Sequence, residues 1–324
     1  MLSWPVSLQD IPGARRGQPA GGASFSARRG WPPTRPLTDH MPFTRHSQSL
    51  KRLYDRYNSR AYVHPDPLEF LYRYDRADDR EVAGLVAASL AYGRVRQILR
   101  SVEAVLAGMT GRPARFLRRT RPETLEAGLA GFVHRVWTGR EVADLLIGIR
   151  GAIIKHGSLG ACFAAGDDGG PTIGGALGGF VGELRACGGR RCGSLLPDPA
   201  KGSACKRLHL YLRWMVRRDQ VDPGGWDAVR PSRLLVPLDT HMYRIGASLG
   251  AIRRRSADIA AAEQMTAAFR AVCPEDPVRY DFALTRLGIR PEDVSDRIET
   301  RPRRDGLRPN ADLDSFMALC SKGS

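Results

Sequence analysis

Apolar residues recur every three or four positions through most of this chain, and almost nowhere at every second position. Leu50, Leu53, Tyr54 and Tyr57 make one stripe, which Leu68, Leu71 and Tyr72 continue after a break at Pro67. Asp78 and Asp79 head a helix whose Val82, Leu85, Val86 and Leu90 share a face. Beyond Tyr92-Gly93-Arg94 a second face gathers Val95, Ile98, Leu99, Val102, Val105 and Leu106. Val142, Leu145, Leu146, Ile149 and Ile153 form another, closed by Gly157. This is the 3.6-residue period of amphipathic helices. Thirteen glycines interrupt it over 157–193. Ile173, Leu177, Phe180, Val181 and Leu184 keep the spacing there, although each helical glycine costs about 1 kcal/mol relative to alanine. Helical spacing returns over 202–217, 240–249, 256–271 and 277–287. Leu234-Leu235-Val236 is too short for a strand and runs into Pro237. The pattern predicts an all-α body without internal repeats.

The ends differ. Residues 1–40 hold six prolines and five glycines among Ser and Arg, with no periodicity. Such a segment cannot bury enough apolar surface to offset chain entropy, so a disordered tail is expected. From about residue 290 the chain turns charged and proline-punctuated, which predicts a poorly ordered C-terminal tail over 291–324. The helical domain then occupies 41–290, and Met41 stands where a downstream translation start would fall.

Charge narrows the partners. Basic residues exceed acidic ones by 16 over the whole chain, and removing residues 1–40 still leaves 45 against 32. A basic body favours polyanions, with nucleic acid ahead of a membrane surface; a plain compositional bias toward arginine is the alternative. Six scattered cysteines do not form a disulfide framework, and no second pair joins Cys187 and Cys192 at metal-ligand spacing. No metal and no cofactor is expected. Apolar runs fall short of the ~20 residues a membrane span needs, and the N-terminus lacks the charge-then-apolar order of a secretory signal. The expected setting is the cytoplasm, and the expected state a monomer with no membrane contact.

Two helix entrances carry the candidate chemistry. Lys201-Gly202-Ser-Ala-Cys-Lys206 is a glycine turn that opens an amphipathic helix, with a lysine in its first turn. Leu208, Tyr211, Leu212 and Met215 form that helix's buried stripe, while Lys206, Arg213 and Arg217 share another face. A cationic ridge at a helix N-terminus suits phosphate, because free backbone N–H groups point the same way; a solvated basic face is the plainer alternative. Asp239 stands 33 residues after Lys206, as the expected N-cap of the next helix. His241 and Arg244 lie three apart on that helix and can face the same groove. An amine and a rigidly aimed carboxylate are what attack on a sugar carbon needs, one as nucleophile and one to steady a developing cation. Trp214 and Trp226 are stacking candidates for which a core role is the better reading.

These residues resemble a family. Gly202-Ser-Ala-Cys-Lys206-Arg207 resembles the hairpin of the helix-hairpin-helix/GPD superfamily of DNA glycosylases, all-α proteins that excise damaged bases. Leu238-Asp239-Thr240-His241, continuing to Arg244 and Leu249-Gly250, is similar to its Asp-Thr-His segment. Leu85-Val-Ala-Ala-Ser-Leu-Ala-Tyr92 resembles the helix and wedge whose last residue fills the hole left by a flipped base. Ala204 replaces the second hairpin glycine, no Cys-rich cluster loop is present, and the Lys206-to-Asp239 gap is long. In its longer gap and altered hairpin the chain resembles the archaeal 8-oxoguanine glycosylases. Lys201-Gly-Ser-Ala-Cys-Lys-Arg-Leu208, Leu212-Arg-Trp-Met-Val-Arg217, Pro237-Leu-Asp-Thr-His241 and Asp276-Pro-Val-Arg-Tyr-Asp-Phe-Ala-Leu284 also look like the hallmark strings of a mostly bacterial domain family of unknown function.

The resemblance implies a multi-helix HhH-GPD-like fold, with two helical lobes around a central groove. It implies DNA as partner, Lys206 as nucleophile and Asp239 as catalytic carboxylate. Tyr92, Arg94, Lys201, Gly202, Arg213, Arg217, His241 and Arg244 become the DNA contacts. The function it implies is base excision through a flipped nucleotide, with or without a lysine Schiff-base lyase step. A non-catalytic nucleic-acid-binding protein on the same fold is the alternative, followed by a cytoplasmic scaffold whose charge is incidental.

Overall fold

A computed structural model describes residues 43–287, apart from Thr110 and Arg190. The expectations for both tails and for Met41 lie outside the described residues. The apolar stripes become the buried faces of twelve α-helices among the described residues: α1 (Ser47–Tyr57), α2 (Ala77–Ser89), α3 (Val95–Ala107), α4 (Pro113–Arg119), α5 (Pro122–Gly128), α6 (Gly139–His156), α7 (Leu159–Ala165), α8 (Gly174–Ala186), α9 (Lys206–Val216), α10 (Thr240–Ser248), α11 (Ile259–Val272) and α12 (Asp281–Arg286). The all-α class is as expected.

One hairpin departs from it: β1 (Val133–His134) pairs antiparallel with β2 (Trp137–Thr138). Two-residue strands are too short to print a period of two on the sequence. A second difference lies at α9, expected from residue 202 but beginning at Lys206. Gly202 and Cys205 both adopt left-handed backbone, with φ of 75° and 42°, which breaks any continuous helix there.

The helices pack in two groups. In the first, α2 is the centre, buried nearly all round and covered by the Pro67–Arg73 turn, α4 and α9. The longest helix, α6, adds α4, α5, α7 and α8. Glu141 accepts a hydrogen bond from the Thr138 N–H at its start, and Gly157, at φ 89°, ends it. In the second group, α1 and α10 both pack on α12, and the Phe43–His46 turn packs on α11. The first and last described helices therefore meet.

Two acids on α2 cap other helices. Asp79 accepts from the Ala114 N–H at 3.0 Å and from Arg112 Nε at 2.8 Å, fixing the start of α4. Glu81 accepts from the N–H groups of Leu159 and Gly160 and from Trp226 Nε1. Burial pushes the Glu81 carboxyl above the ordinary range, against the pull of those three donors. Trp226 is thereby held in the core, as is Trp214. Glu81→Ala leaves three donors without an acceptor, so we expect a loss of about 3 kcal/mol or more in urea unfolding; a loss below ~1 kcal/mol would contradict this anchoring role.

Candidate active site between two helix entrances

The turn before α9 is built from local capping. Asp198 accepts from the Ala200 N–H, a short 3-10 turn covers Pro199–Lys201, and Gly202 reverses the chain. The Ile259 N–H donates to the Gly202 carbonyl at 3.2 Å and Ser203 bridges to Asp258, so the turn is sewn to the start of α11. Lys206 then falls at the first helical position. Its neighbour Arg207 points inward, donating to the carbonyls of Ser89 and Ser194 and lying 4.6 Å over the Trp137 ring. Burial lowers the Arg207 guanidinium to about 10.

Asp239 caps α10, accepting from the Met242 N–H at 2.8 Å through Oδ1. Its other oxygen, Oδ2, lies 3.1 Å from Lys206 Nζ. Burial opposes ionisation of Asp239, but Lys206, the Met242 N–H and His241 outweigh it and hold the carboxyl below its usual range. A pocket of about 240 Å³ opens beside the pair, walled also by Asp66, Leu210, Arg213, Pro237, His241, Asp281, Thr285 and Arg286. Two helix starts 33 residues apart thus face one concavity with an amine and an ionised carboxylate in contact.

The other expected contacts divide. Arg94, Lys201, Gly202 and Arg244 are exposed. Tyr92 is half exposed, meeting Trp137 edge-on at 5.7 Å with the Arg135 guanidinium 5.5 Å from its ring. Trp137 therefore links Tyr92 to Arg207, the residue next to Lys206. His241 is partly exposed and lines the pocket.

Arg213 and Arg217 correct the sequence reading. Both side chains are 3% exposed, so they form no phosphate-facing ridge. Arg213 donates to Asp222 and Asp281, and Arg217 to Asp219, Asp222 and Asp276. A buried guanidinium engaged by carboxylates through all three nitrogens is not placed to meet a nucleic acid. Their partners come from a turn and a distant segment that helical spacing alone does not place.

Sequence reasoning also missed Asp66, Asp281 and Arg286 as pocket walls, and the hairpin whose Val133 and Val136 are largely exposed. Asp281 carried a signal, since it sits inside the Asp276–Leu284 string already singled out. The hairpin carried none. Among the described residues, no group of three or more His, Cys, Asp or Glu side chains is placed to hold a metal ion, and no helix is long and apolar enough to cross a membrane.

A family model for proteins of unknown function, DUF2400, matches residues 66–290. The chain belongs to the DUF2400 family. The matched span includes Lys206, Asp239 and every pocket wall from Asp66 to Arg286, so the site lies within the DUF2400 domain itself. No curated protein and no solved structure matches the chain.

The pair predicts a pH signature. Asp239 is depressed in the folded chain, so its contribution is complete above the ordinary value of 3.8 and is lost as pH falls through the lower folded value. A double-mutant cycle of Lys206→Gln and Asp239→Asn should give a coupling of up to about 1 kcal/mol at neutral pH, since both groups are partly exposed. That coupling should fade only in acid below the ordinary Asp range; a coupling unchanged there would contradict the pair. Asp239→Ala should cost about 1 kcal/mol more through the lost cap.

Proposed function

We propose that this DUF2400 protein is a DNA-repair glycosylase of the helix-hairpin-helix/GPD kind, acting on a nucleotide flipped out of duplex DNA. The observation that carries the reading is the 3.1 Å approach of Lys206 Nζ to Asp239 Oδ2 at the mouth of a base-sized pocket. The basic body draws the duplex, with Arg94, Lys201 and Arg244 as exposed phosphate partners. Tyr92 fills the gap as the target leaves the stack, at a cost of a few kcal/mol that is least for a damaged base.

In the reaction, Asp239 stabilises the oxocarbenium-like sugar as the bond to the base stretches. Lys206, once its proton has passed to the departing base or to water, offers its lone pair to the anomeric carbon. The new C–N bond replaces the C–N bond to the base, and ring opening gives a Schiff base. Lys206 is engaged by Asp239 in the free protein, which also favours a second reading. In that reading the fold binds nucleic acid and the ion pair holds the two helix entrances together.

Borohydride trapping on duplexes carrying abasic, oxidised or alkylated sites separates the two. Catalysis predicts a covalent adduct that Lys206→Gln abolishes, and base release that Asp239→Asn slows by about 10²–10³ with affinity retained. Binding alone predicts no adduct, no base release, and a log–log salt slope of about −0.9 per phosphate contact. An adduct that survives Lys206→Gln would remove this lysine as the nucleophile.

A further inference from the structure

Three of the five large apolar side chains left exposed among the described residues stand on one small unit. Tyr92 (51% exposed), Val133 (65%) and Val136 (70%) belong to the loop after α2 and to the β1–β2 hairpin. The two pieces are fixed to each other. His134, sealed from solvent, donates through Nε2 to the Tyr92 carbonyl at 3.2 Å, which leaves Nδ1 to accept from Ser101 Oγ at 2.8 Å. Its ring stacks on Trp137 at 5.8 Å, and Trp137 meets Tyr92 edge-on. With the inner side of the hairpin held this way, the outer valines cannot fold inward. Apolar side chains grouped in water on a rigid support mark a contact surface.

The tip and its surroundings are cationic. Arg135 is the first of two residues turning β1 into β2, and its φ is 58°, where glycine is the usual choice. Its side chain lies along Gly93, where a Cβ would stand 3.1 Å from Arg135 Cδ, and brings the guanidinium 5.5 Å from the Tyr92 ring. Residues 92–100 and 131–140 hold Arg94, Arg96, Arg100, Arg135 and Arg140 and no Asp or Glu. Helix α3 packs on β1, so both stretches share one face. The acids just beyond them, Glu103 and Glu141, are taken up by Arg73 and Thr138. The buried arginines of α9 all meet carboxylates. At this face Arg94, Arg135 and Arg140 make no side-chain hydrogen bond or ion pair with any described residue. A groove of about 780 Å³ continues the surface past Val133, Thr138 and Arg140, and the acid on its wall, Glu126, is engaged by Arg191.

Such a surface suits a polyanion that also shows flat apolar faces. A duplex hides its base faces in the stack, whereas a single strand presents bases and phosphates in alternation. Anionic membranes are met by longer anchors, such as Trp, Phe and Leu, than two valines. We infer that the hairpin and the Tyr92 loop form a binding surface for single-stranded nucleic acid. Bases stack on Tyr92 and pack against Val133 and Val136, while Arg94, Arg135 and Arg140 take the phosphates. This adds the hairpin to Tyr92 and Arg94, which the glycosylase reading already uses, and depends on neither Lys206 nor Asp239.

Fluorescence anisotropy of the full chain with labelled oligothymidylate tests the surface. The strand should bind at least about tenfold more tightly than an abasic strand with the same phosphates, because a stacked base contributes that much. Tyr92→Ala should remove the preference. Arg135→Gly relaxes the turn, so it should melt no lower than the parent, yet weaken binding and reduce the log–log salt slope by about 0.7. Equal binding of the abasic strand or of polyglutamate would reduce the surface to charge alone and overturn the inference. So would strand binding that neither variant changes, or an Arg135→Gly loss seen only on phosphatidylserine vesicles. A Lys206 adduct on duplex DNA without base-dependent single-strand binding would sink this inference and leave the glycosylase reading standing. Base-dependent single-strand binding with no adduct and no base release from any duplex would do the reverse.

Discussion

Two buried guanidinium groups, one in α9 and one just past its end, set the position of everything around Lys206. Arg213 and Arg217 stand one turn apart in an interior that cannot hold unpaired charge, and stripping one partner from such a pair costs about 3–5 kcal/mol. Their anions come from three places: Asp219 and Asp222 in the turn after α9, Asp276 in the approach to α12, and Asp281 at its first residue. Meeting those charges draws the end of the described chain back onto α9. Since α12 also packs on α10, the entrance capped by Asp239 arrives beside the entrance that carries Lys206. An apolar set of the same volume would often be as stable as a buried ion cluster. What the cluster supplies is register between α9 and α12.

That constraint also marks the border of what the sequence makes legible. Helices with one apolar face, such as α3 and α6, can be read from spacing because burial repeats with the helical period. The cap at Asp239 was legible for the same local reason: an acid after Pro237-Leu238, directly ahead of a periodic segment. Arg213 and Arg217 were not. On the helix they follow Lys206 by seven and eleven residues, which looks like a solvated ridge, and their burial depends on carboxylates that local pattern cannot bring near. Glu81 hides in the same way. It reads as a polar position on α2, yet its three donors lie some 80 and 145 residues away. Long-range polar contacts leave no period behind them, and the site is made mostly of such contacts.

The charge of the molecule works on two scales. The net +16 of the chain acts at long range, and its exposed arginines and lysines meet solvent and any polyanion first. The pocket is different, with cations and anions in balance and several polar atoms already bound to the fold. Under the proposed function, attraction and recognition fall to separate parts of the surface. A duplex held through its phosphates would be drawn by the former, and a single extruded ring would be judged by the latter, where hydrogen-bond direction counts for more than charge.

The 33 residues between Lys206 and Asp239 are the remaining obstacle to treating the two as a pair, because a loose insertion of that length would let the entrances drift. It is not loose. After α9 the chain is fixed by Asp222 against Arg213 and Arg217, and next by the Trp226 indole on Glu81. Arg233 then grips Asp167 with two hydrogen bonds of 2.6 Å, and the Val236 N–H donates to Thr266 Oγ1. These anchors fall roughly every three to seven residues and reach α9, α2, the loop before α8 and α11 in turn. Pinned at each step, the segment crosses the first group of helices and returns to the second, and Pro237-Leu238 delivers Asp239 to α10. The length of the gap therefore measures the distance the chain travels around the core, and places no slack between the amine and the carboxylate.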